Sequence, residues 1–356
     1  MLAVSIFACK TTSDDNLLQP LPVQLQGATQ NAMEVLDSNP QFSALSAAIK
    51  QYGLEAELRR FPARFTIFAP NNQAFEAINL AGVPDSAVRN VLRYHIFQTE
   101  SFRFASQISS GANETSAILP NNLVWINVPR LGEVFINGTP VLRADIPATN
   151  AVIHEIGVVL QPPTKTMYQI IAEEPTLSRF REAANSTNDL AFPTSTMVTS
   201  LRQRLKSTRF QGSIFDGASS SSIFEGQNSI LFVPNNVAFD EVGLTDSLLV
   251  GNFINLPAGA GARVFNFHLS QASGRLFANG LTPGALPTLV PGRPLNLFFE
   301  NGTIAINRKS IVDGVELQND PIGLSSGFNN SNIITKDILA TNGVIHIVDR
   351  VLLPEN

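Results

Sequence analysis

The stretch TKDILATNGVIHIVD at residues 335–349 decides the fold of this chain, because a near copy of it, ADIPATNAVIHEI, occurs earlier at residues 144–156. Both copies contain Asp-Ile, then Ala-Thr-Asn, then Val-Ile-His, and the aspartate precedes the histidine by nine residues in each. Two long matches within one chain are typical of an internal duplication. The sequence therefore predicts two domains of the same fold.

Each copy predicts a strand that carries a histidine, and in the second copy a turn comes before it. Asn342-Gly343 is a turn signal, because both residues adopt positive φ at low cost. In the following strand His346 shares a face with apolar neighbours, and His154 does the same in the first copy. Buried polar groups usually find hydrogen-bond partners, so both histidines are predicted to be buried and structural, with a chemical role as the alternative.

Length and composition bound the class of protein. A chain of 356 residues is long enough for two domains, each with its own core. Hydrophobic residues make up 44% and charged residues 15%, which excludes a highly charged disordered chain. The net charge of −5 argues against a nucleic-acid partner. The single cysteine excludes an intrachain disulfide, and no apolar run is long enough for a membrane-spanning helix.

The first nine residues, MLAVSIFAC, resemble the end of a bacterial lipoprotein signal, in which Cys9 is lipidated. The acidic pair Asp14-Asp15 resembles the surface-export signal of Bacteroidetes-type lipoproteins. The expected location is therefore the bacterial cell envelope, as an outer-membrane lipoprotein that is surface-exposed or faces the periplasm. Residues 1–29 are predicted to be a signal remnant and flexible tether. An ordinary thiol at Cys9 is the alternative.

The two predicted domains are residues 30–163 and 164–356. In the first, the segment RFTIFAP at residues 64–70 reads as a buried strand that leads through a Pro-Asn turn into a helix. A further helix is predicted over residues 85–97, and strands are predicted at 123–128 and 133–136. The second domain repeats this order.

The second domain is longer by two insertions, at about residues 185–228 and 309–335, which are rich in Ser, Gly and Asn. They are predicted to be long loops, where recognition often resides. The link between the domains is short and contains proline, so the chain is expected to be a semi-rigid, monomeric tandem.

Three ordered motifs, each occurring twice, resemble those of the fasciclin domain family. The first is a strand and turn of the form Thr-Ile-Phe-Ala-Pro-Asn-Asn-x-Ala-Phe, the second a central Tyr-His, and the third an Asn-Gly-Val-Ile-His strand followed by proline. The first is met by Thr66–Phe75 and, more loosely, by Ile230–Phe239; the second by Tyr94-His95 and, with Phe for Tyr, by Phe267-His268. The third is met by Asn342–Pro354 and, with Ala151 for Gly, by Asn150–Pro162. The resemblance covers about residues 30–356.

The resemblance implies an α+β fold in which each domain is a wedge-shaped β-sandwich of about seven strands capped by helices. It also implies non-catalytic adhesion through extracellular protein, matrix or glycan contacts. In animal members the Asp-Ile and Tyr-His positions are implicated in binding receptors. The positions matching such a role are Asp145, Ile146, Asp337, Ile338, Tyr94, His95, Phe267 and His268. The positions matching structural motif residues are His154, His346, Asn150, Asn342, Pro70 and Pro234.

The two aspartates have a second interpretation. Aspartate often caps or holds local backbone, so the favoured interpretation is that Asp145 and Asp337 hold backbone groups while the isoleucines that follow them pack. Phe267 lacks the hydroxyl of Tyr94, which weakens any hydrogen-bonding role at that position of the second domain.

Enzymatic chemistry is weakly signalled. The segment GLSSG at residues 323–327, with Asp337 and His346 after it, matches the order of a serine hydrolase, but its flanks are loop-like rather than strand and helix. No metal-ligand or calcium-loop spacing occurs, so neither metal nor cofactor is predicted. The main alternative function is an envelope lipoprotein that binds polysaccharide or small-ligand cargo for a membrane complex.

Overall fold

In the computed structural model, the described strands form two sheets of seven, one in each half of the chain. The structure describes residues 25, 27–59, 63–80, 82–98, 102–108, 111–116, 123–130, 132–186, 229–254, 260–270, 276–288, 290, 292–300, 303–306 and 330–352. The chain divides into a first unit, Met1–Pro162, and a second unit, Pro163–Asn356. The predicted α+β class and the duplication are confirmed.

The first unit contains α1 (Ala32–Ser38), α2 (Ser43–Gln51), α3 (Glu55–Arg59), β1 (Phe65–Pro70), α4 (Asn72–Glu76), α5 (Asp85–Arg93), β2 (Ile96–Gln98), β3 (Gly111–Ser116), β4 (Leu123–Arg130), β5 (Glu133–Ile136), β6 (Thr139–Ala148) and β7 (Ala151–Ile156). The second contains α6 (Met167–Glu173), α7 (Ser178–Ser186), β8 (Ser229–Pro234), α8 (Asn236–Asp240), α9 (Ser247–Ile254), α10 (Ala260–Phe267), β9 (Leu269–Ser270), β10 (Gly284–Leu286), β11 (Leu295–Glu300), β12 (Thr303–Ile306), β13 (Ser331–Ala340) and β14 (Gly343–Val348). Short 3-10 helices lie at Pro40–Phe42, Ala105–Gln107, Pro175–Leu177 and Ala278–Gly280.

The two sheets have the same topology. The order β2-β1-β7-β6-β5-β4-β3 of the first sheet recurs as β9-β8-β14-β13-β12-β11-β10 in the second. At the centre of each, one pair is parallel, with Phe68 opposite His154 in the first and Phe232 opposite His346 in the second. Every residue of β1 and β7 is buried, because both faces of this central pair are covered.

Alternation along the central strands divides the interior of each unit in two. On β1, Ile67 packs with the helices of the first unit, whereas Phe68 packs on the opposite face with residues of β4 and β5. On β8, Leu231 and Phe232 divide in the same way. The apolar residues on both faces of each strand are therefore required by two cores rather than one.

An asparagine follows each of these strands and caps the next helix. Asn71 follows Pro70, and its side-chain Oδ1 accepts a hydrogen bond from the N–H of Ala74 at 3.0 Å. Asn235 follows Pro234 and accepts from the N–H of Ala238 at 2.9 Å. These N-caps satisfy helix donors that would otherwise have no partner, so the strand-turn-helix prediction is confirmed at both copies.

The structure differs from the sequence-based elements in three places. The helix predicted over residues 85–97 ends at Arg93, because Ile96–Gln98 pairs with the edge of β1 as β2. Strand β13 begins at Ser331 and so takes in the last five residues of the expected loop 309–335, while most of both insertions lies outside the described residues. Helix α9 was not anticipated, and it has no counterpart in the described part of the first unit.

Candidate functional site

In each unit the duplicated motif, residues 144–156 or residues 335–349, includes part of a strand with β-bulges. The pairing of β6 with β7 shifts register between Val141 and Arg143 and again between Arg143 and Ile146. The pairing of β13 with β14 shifts at the equivalent positions. In the second shift of each strand an aspartate takes a left-handed conformation, with φ of 59° at Asp145 and 65° at Asp337. Aspartate tolerates this conformation better than most residues, which explains the residue type at the bulge.

His154 holds the first bulge from the neighbouring strand. Its Nδ1 accepts a hydrogen bond from the backbone N–H of Asp145 at 3.2 Å, and its Nε2–H donates to the carbonyl of Arg103 at 2.9 Å. The Oδ1 atom of Asp145 in turn accepts from the N–H of Ala105 at 2.9 Å. These contacts require the neutral ring with its proton on Nε2. Burial lowers the pKa of His154, outweighing the raising effects of the Arg103 carbonyl and the Asp145 carboxylate.

The second unit repeats this arrangement. His346 Nδ1 accepts from the N–H of Asp337 at 3.3 Å, and Nε2–H donates to the carbonyl of Leu276 at 3.2 Å. The Oδ1 atom of Asp337 accepts from the N–H of Ala278 at 2.6 Å. Burial lowers the pKa of His346 below its usual value, although the Asp337 carboxylate acts in the opposite direction. Each aspartate therefore pins backbone, which is the second of the two interpretations drawn from the sequence.

The other two histidines, His95 and His268, each link the helix before them to the segment that follows the last strand of their unit, β7 or β14. His95 Nδ1–H donates to the carbonyl of Val91 and its Nε2 accepts from the N–H of Leu160, both at 2.8 Å. Burial lowers the pKa of His95 to about 4. His268 bonds to the carbonyl of Val264 and the N–H of Leu352 in the same way. Every ring nitrogen of the four histidines thus holds a backbone group.

The motif asparagines hold the turns between the paired strands. Asn150 Oδ1 accepts from the N–H of Ala32 and its Nδ2 donates to the carbonyl of Leu58, both at 2.8 Å. This ties the β6–β7 turn to the start of α1 and the end of α3. Asn342 Oδ1 accepts from the N–H of Met167 at 2.9 Å at the start of α6. The duplicated motif is therefore a set of backbone contacts between distant segments.

The expected partner-binding residues fall into two groups. The Tyr-His positions are buried, with side chains at most 3% exposed, so a partner could reach them only if the core opened; they are Tyr94, His95, Phe267 and His268. The Asp-Ile positions are accessible in part. The side chains of Asp145 and Asp337 are 34% and 21% exposed, whereas Ile146 and Ile338 are partly buried and pack on the helix-side cores.

The same bulges expose two aliphatic residues that sequence reasoning missed. Leu142 is 56% exposed and Ile334 is 52% exposed, and each lies three positions before the pinned aspartate of its unit. The repetition of a large aliphatic residue at this position was the signal that could have found them. Residues 142–144 and residues 334–336 are three consecutive exposed positions in each strand, which regular alternation without a bulge would not give.

The structure gives no assembled catalytic or metal centre among the described residues. In those ranges no three His, Cys, Asp or Glu side chains could together hold a metal ion. The GLSSG segment lies outside the described residues, and so does Cys9. His346, the histidine of that hydrolase pattern, already uses both ring nitrogens. None of the helices in the described ranges is both long and apolar enough to span a membrane.

Comparison with known proteins identifies the duplicated unit. The sequence model of the fasciclin domain matches residues 40–162 and again residues 197–354. The chain belongs to the fasciclin domain family. The first unit thus contains one fasciclin domain and the second unit another, as the three paired motifs predicted.

Relatives occur in animals and bacteria. Transforming growth factor-beta-induced protein ig-h3 of Sus scrofa is 27% identical over 303 residues, which are 83% of this chain and 35% of that protein. This chain therefore spans about a third of the length of that relative. Protein sll1483 of Synechocystis sp. is 35% identical over 149 residues, 39% of this chain and 78% of that protein. A solved FAS1 domain pair from the insect cell adhesion molecule Fasciclin I covers 86% of this chain and 92% of its own, with 18% identity and a TM-score of 0.35.

Proposed function

We propose that this protein is a non-catalytic adhesion module of the bacterial cell envelope that binds an extracellular protein or polysaccharide. It is held to the membrane through lipidated Cys9. Membership of the fasciclin domain family, for which the resemblance implies adhesion, supports this function. The observation that carries it is that the duplicated motif uses its histidines on backbone contacts, while its bulge presents an accessible aliphatic and acidic surface in both domains.

The proposed partner surface is the bulge of β6 and of β13. In the first domain it presents Leu142 and the half-buried carboxylate of Asp145, and in the second it presents Ile334 and Asp337. The buried core of a protein interface is more apolar than its rim, so an exposed aliphatic residue beside a carboxylate can contribute to such a core. Two copies on one chain would allow binding strengthened by avidity.

A binding screen tests this function. The chain from residue 16 onward, and each domain alone, would be passed over immobilised matrix proteins and polysaccharides. We expect at least one partner to bind the tandem more tightly than either domain, and replacement of Ile334 by serine to weaken binding. Leu248→Ser is the matched control, because Leu248 is 71% exposed but lies on α9 rather than on the bulge. Silence across the panel, or equal loss in both variants, would contradict the proposal.

Membrane attachment is tested separately. Cells expressing the protein would be labelled with radioactive palmitate, and label is expected in the wild type but not in Cys9→Ala. Equal labelling of the two would refute lipidation at Cys9.

A further inference from the structure

Strand β6 of the first fasciclin domain carries an arginine, Arg143, whose guanidinium forms an ion pair through Nε and is half exposed. The Nε atom of Arg143 lies 3.4 Å from Glu155 Oε2, directly across the β6–β7 pair. The Glu155 side chain is 8% exposed, whereas that of Arg143 is 48% exposed. Within the described part of the chain, Glu155 is the one acidic residue that Arg143 pairs with, and neither Nη atom makes a hydrogen bond. Two parallel N–H groups on the Nη edge match the geometry of a carboxylate.

Neighbouring residues hold this guanidinium in its orientation. Glu155 Oε1 accepts a hydrogen bond from Asn71 Nδ2 at 3.2 Å, and Asn71 is itself held because its Oδ1 caps α4. The Cζ atom of Arg143 lies 6.0 Å from the ring centroid of buried Phe42, at the outer limit of a cation–π contact. Holding a long side chain in place before binding reduces the entropy lost when a partner arrives.

An exposed leucine precedes the arginine, and the segment after β7 adjoins that leucine. Leu142 precedes it in the bulge, and its Cδ1 lies against Gly157, where an added Cβ would be 3.4 Å away. Val158 follows that glycine and is 50% exposed. Leu142, Arg143 and Val158 form what we call the Arg143 patch. Arginine is enriched at the centre of protein interfaces, where the buried part of the contact is more apolar than its rim.

The second domain shows that the fold does not require this ion pair. At the same register positions it has Thr335 opposite Ile347. A buried carboxylate is costly to keep, and an apolar replacement is often neutral or stabilising. The second domain packs the same site without a charge, so the Arg143–Glu155 pair is particular to the first domain.

We propose that the Arg143 patch is a docking site for an acidic peptide segment of a partner protein. A carboxylate of the segment binds the Nη edge of Arg143, and neighbouring apolar side chains contact Leu142 and Val158. The aliphatic flanks favour a peptide over a polysaccharide, because sugar rings are usually bound on exposed aromatic side chains. The site rests on the proposed adhesion function and gives it a partner class and a location in the first domain.

The test uses the full chain, labelled with 15N, and the probe acetyl-Leu-Glu-Leu-Glu-Leu-amide. We expect saturable shifts in the Arg143 Nε–H signal and in the backbone amides of Leu142 and Val158. The same peptide with Gln in place of Glu should bind at least tenfold more weakly, because a charge-assisted bidentate contact is lost. Arg143→Lys retains the charge but not the fork, and it too should weaken binding.

Two further variants separate binding from folding. Leu142→Ser leaves the Arg143–Glu155 pair intact and should weaken binding at least threefold. Arg130→Gln is the matched control, because the Arg130 side chain is 81% exposed on β4 and lies outside the patch; its binding should be unchanged.

Equal binding of the neutral peptide, equal binding by Arg143→Lys and Leu142→Ser, or tighter binding of an oligogalacturonate would overturn the proposal. Attachment of the full chain in the matrix screen without any peptide binding would overturn this docking site alone and leave the adhesion function standing.

Discussion

Replacing His154 with leucine should destabilise the first fasciclin domain by about 2–4 kcal/mol. Leucine is similar in volume, so little cavity is created, but the N–H of Asp145 and the carbonyl of Arg103 both lose their partner. An unsatisfied buried group costs about 1–3 kcal/mol, and the lower part of that range applies because Asp145 and Arg103 lie near solvent. With a urea m-value of about 2 kcal/mol/M, the midpoint should fall by about 1–2 M.

The single tryptophan of the chain reports on the unfolding of the first domain alone. Trp125 is the only tryptophan, and it is buried on β4 of the first domain. Its fluorescence during a urea titration therefore follows the unfolding of the first domain, while far-UV circular dichroism follows both domains.

His346→Leu is the matched control. It removes the equivalent two hydrogen bonds in the second domain, so it should leave the fluorescence transition in place and shift only part of the circular dichroism transition. An unchanged fluorescence midpoint in His154→Leu would refute the assignment of His154 as a structural clamp. An equal shift in His346→Leu would refute the independence of the two transitions.

Three further changes should affect the first domain, each measured by Trp125 fluorescence. Lowering the pH should destabilise it, because burial holds the pKa of His95 near 4 against 6.5 in the unfolded chain. The unfolded chain binds that proton first, so stability is full above about pH 6.5 and declines by up to about 3 kcal/mol as the pH falls to about 4; an unchanged urea midpoint between pH 7.5 and 5 would contradict this. Asn150→Ala should cost about 2–3 kcal/mol in urea, because two buried backbone groups lose their partner, and a loss below about 0.5 kcal/mol would argue against that role. Tyr94→Phe should lower the Tm by about 2–4 °C, since Asn137 Nδ2 loses its acceptor at 2.9 Å and about 1 kcal/mol with it; an unchanged Tm would show that water replaces the hydroxyl.

Local features of the sequence were enough to predict the repeated elements at the centre of each domain. The run of residues 65–70 is mostly apolar and has large apolar residues on both faces, as a strand between two cores requires. Asn71 and Asn235 follow such strands with side chains suited to capping a helix, and Asn137-Gly138 adopts positive φ at both residues as an Asn-Gly hairpin turn predicts. The turn at Asn342-Gly343 is also present, but neither residue has positive φ, so the reason given for it from the sequence was wrong. Periodicity misled at His95, because helical spacing continued past Arg93 while pairing with β1 required a strand from Ile96.

By itself the sequence determined the duplication, the family, the central strands and the residue types that must be buried, because these follow from local pattern and from comparison of the chain with itself. Only the tertiary structure decided which side chains reach a partner. Arg143 and Glu155 meet because β6 pairs with β7 between two register shifts, where Leu142 and Arg143 are exposed side by side and Asp145 has positive φ. A register shift arises from the fit between two strands and the cores on either side of them, so no single stretch of sequence encodes it.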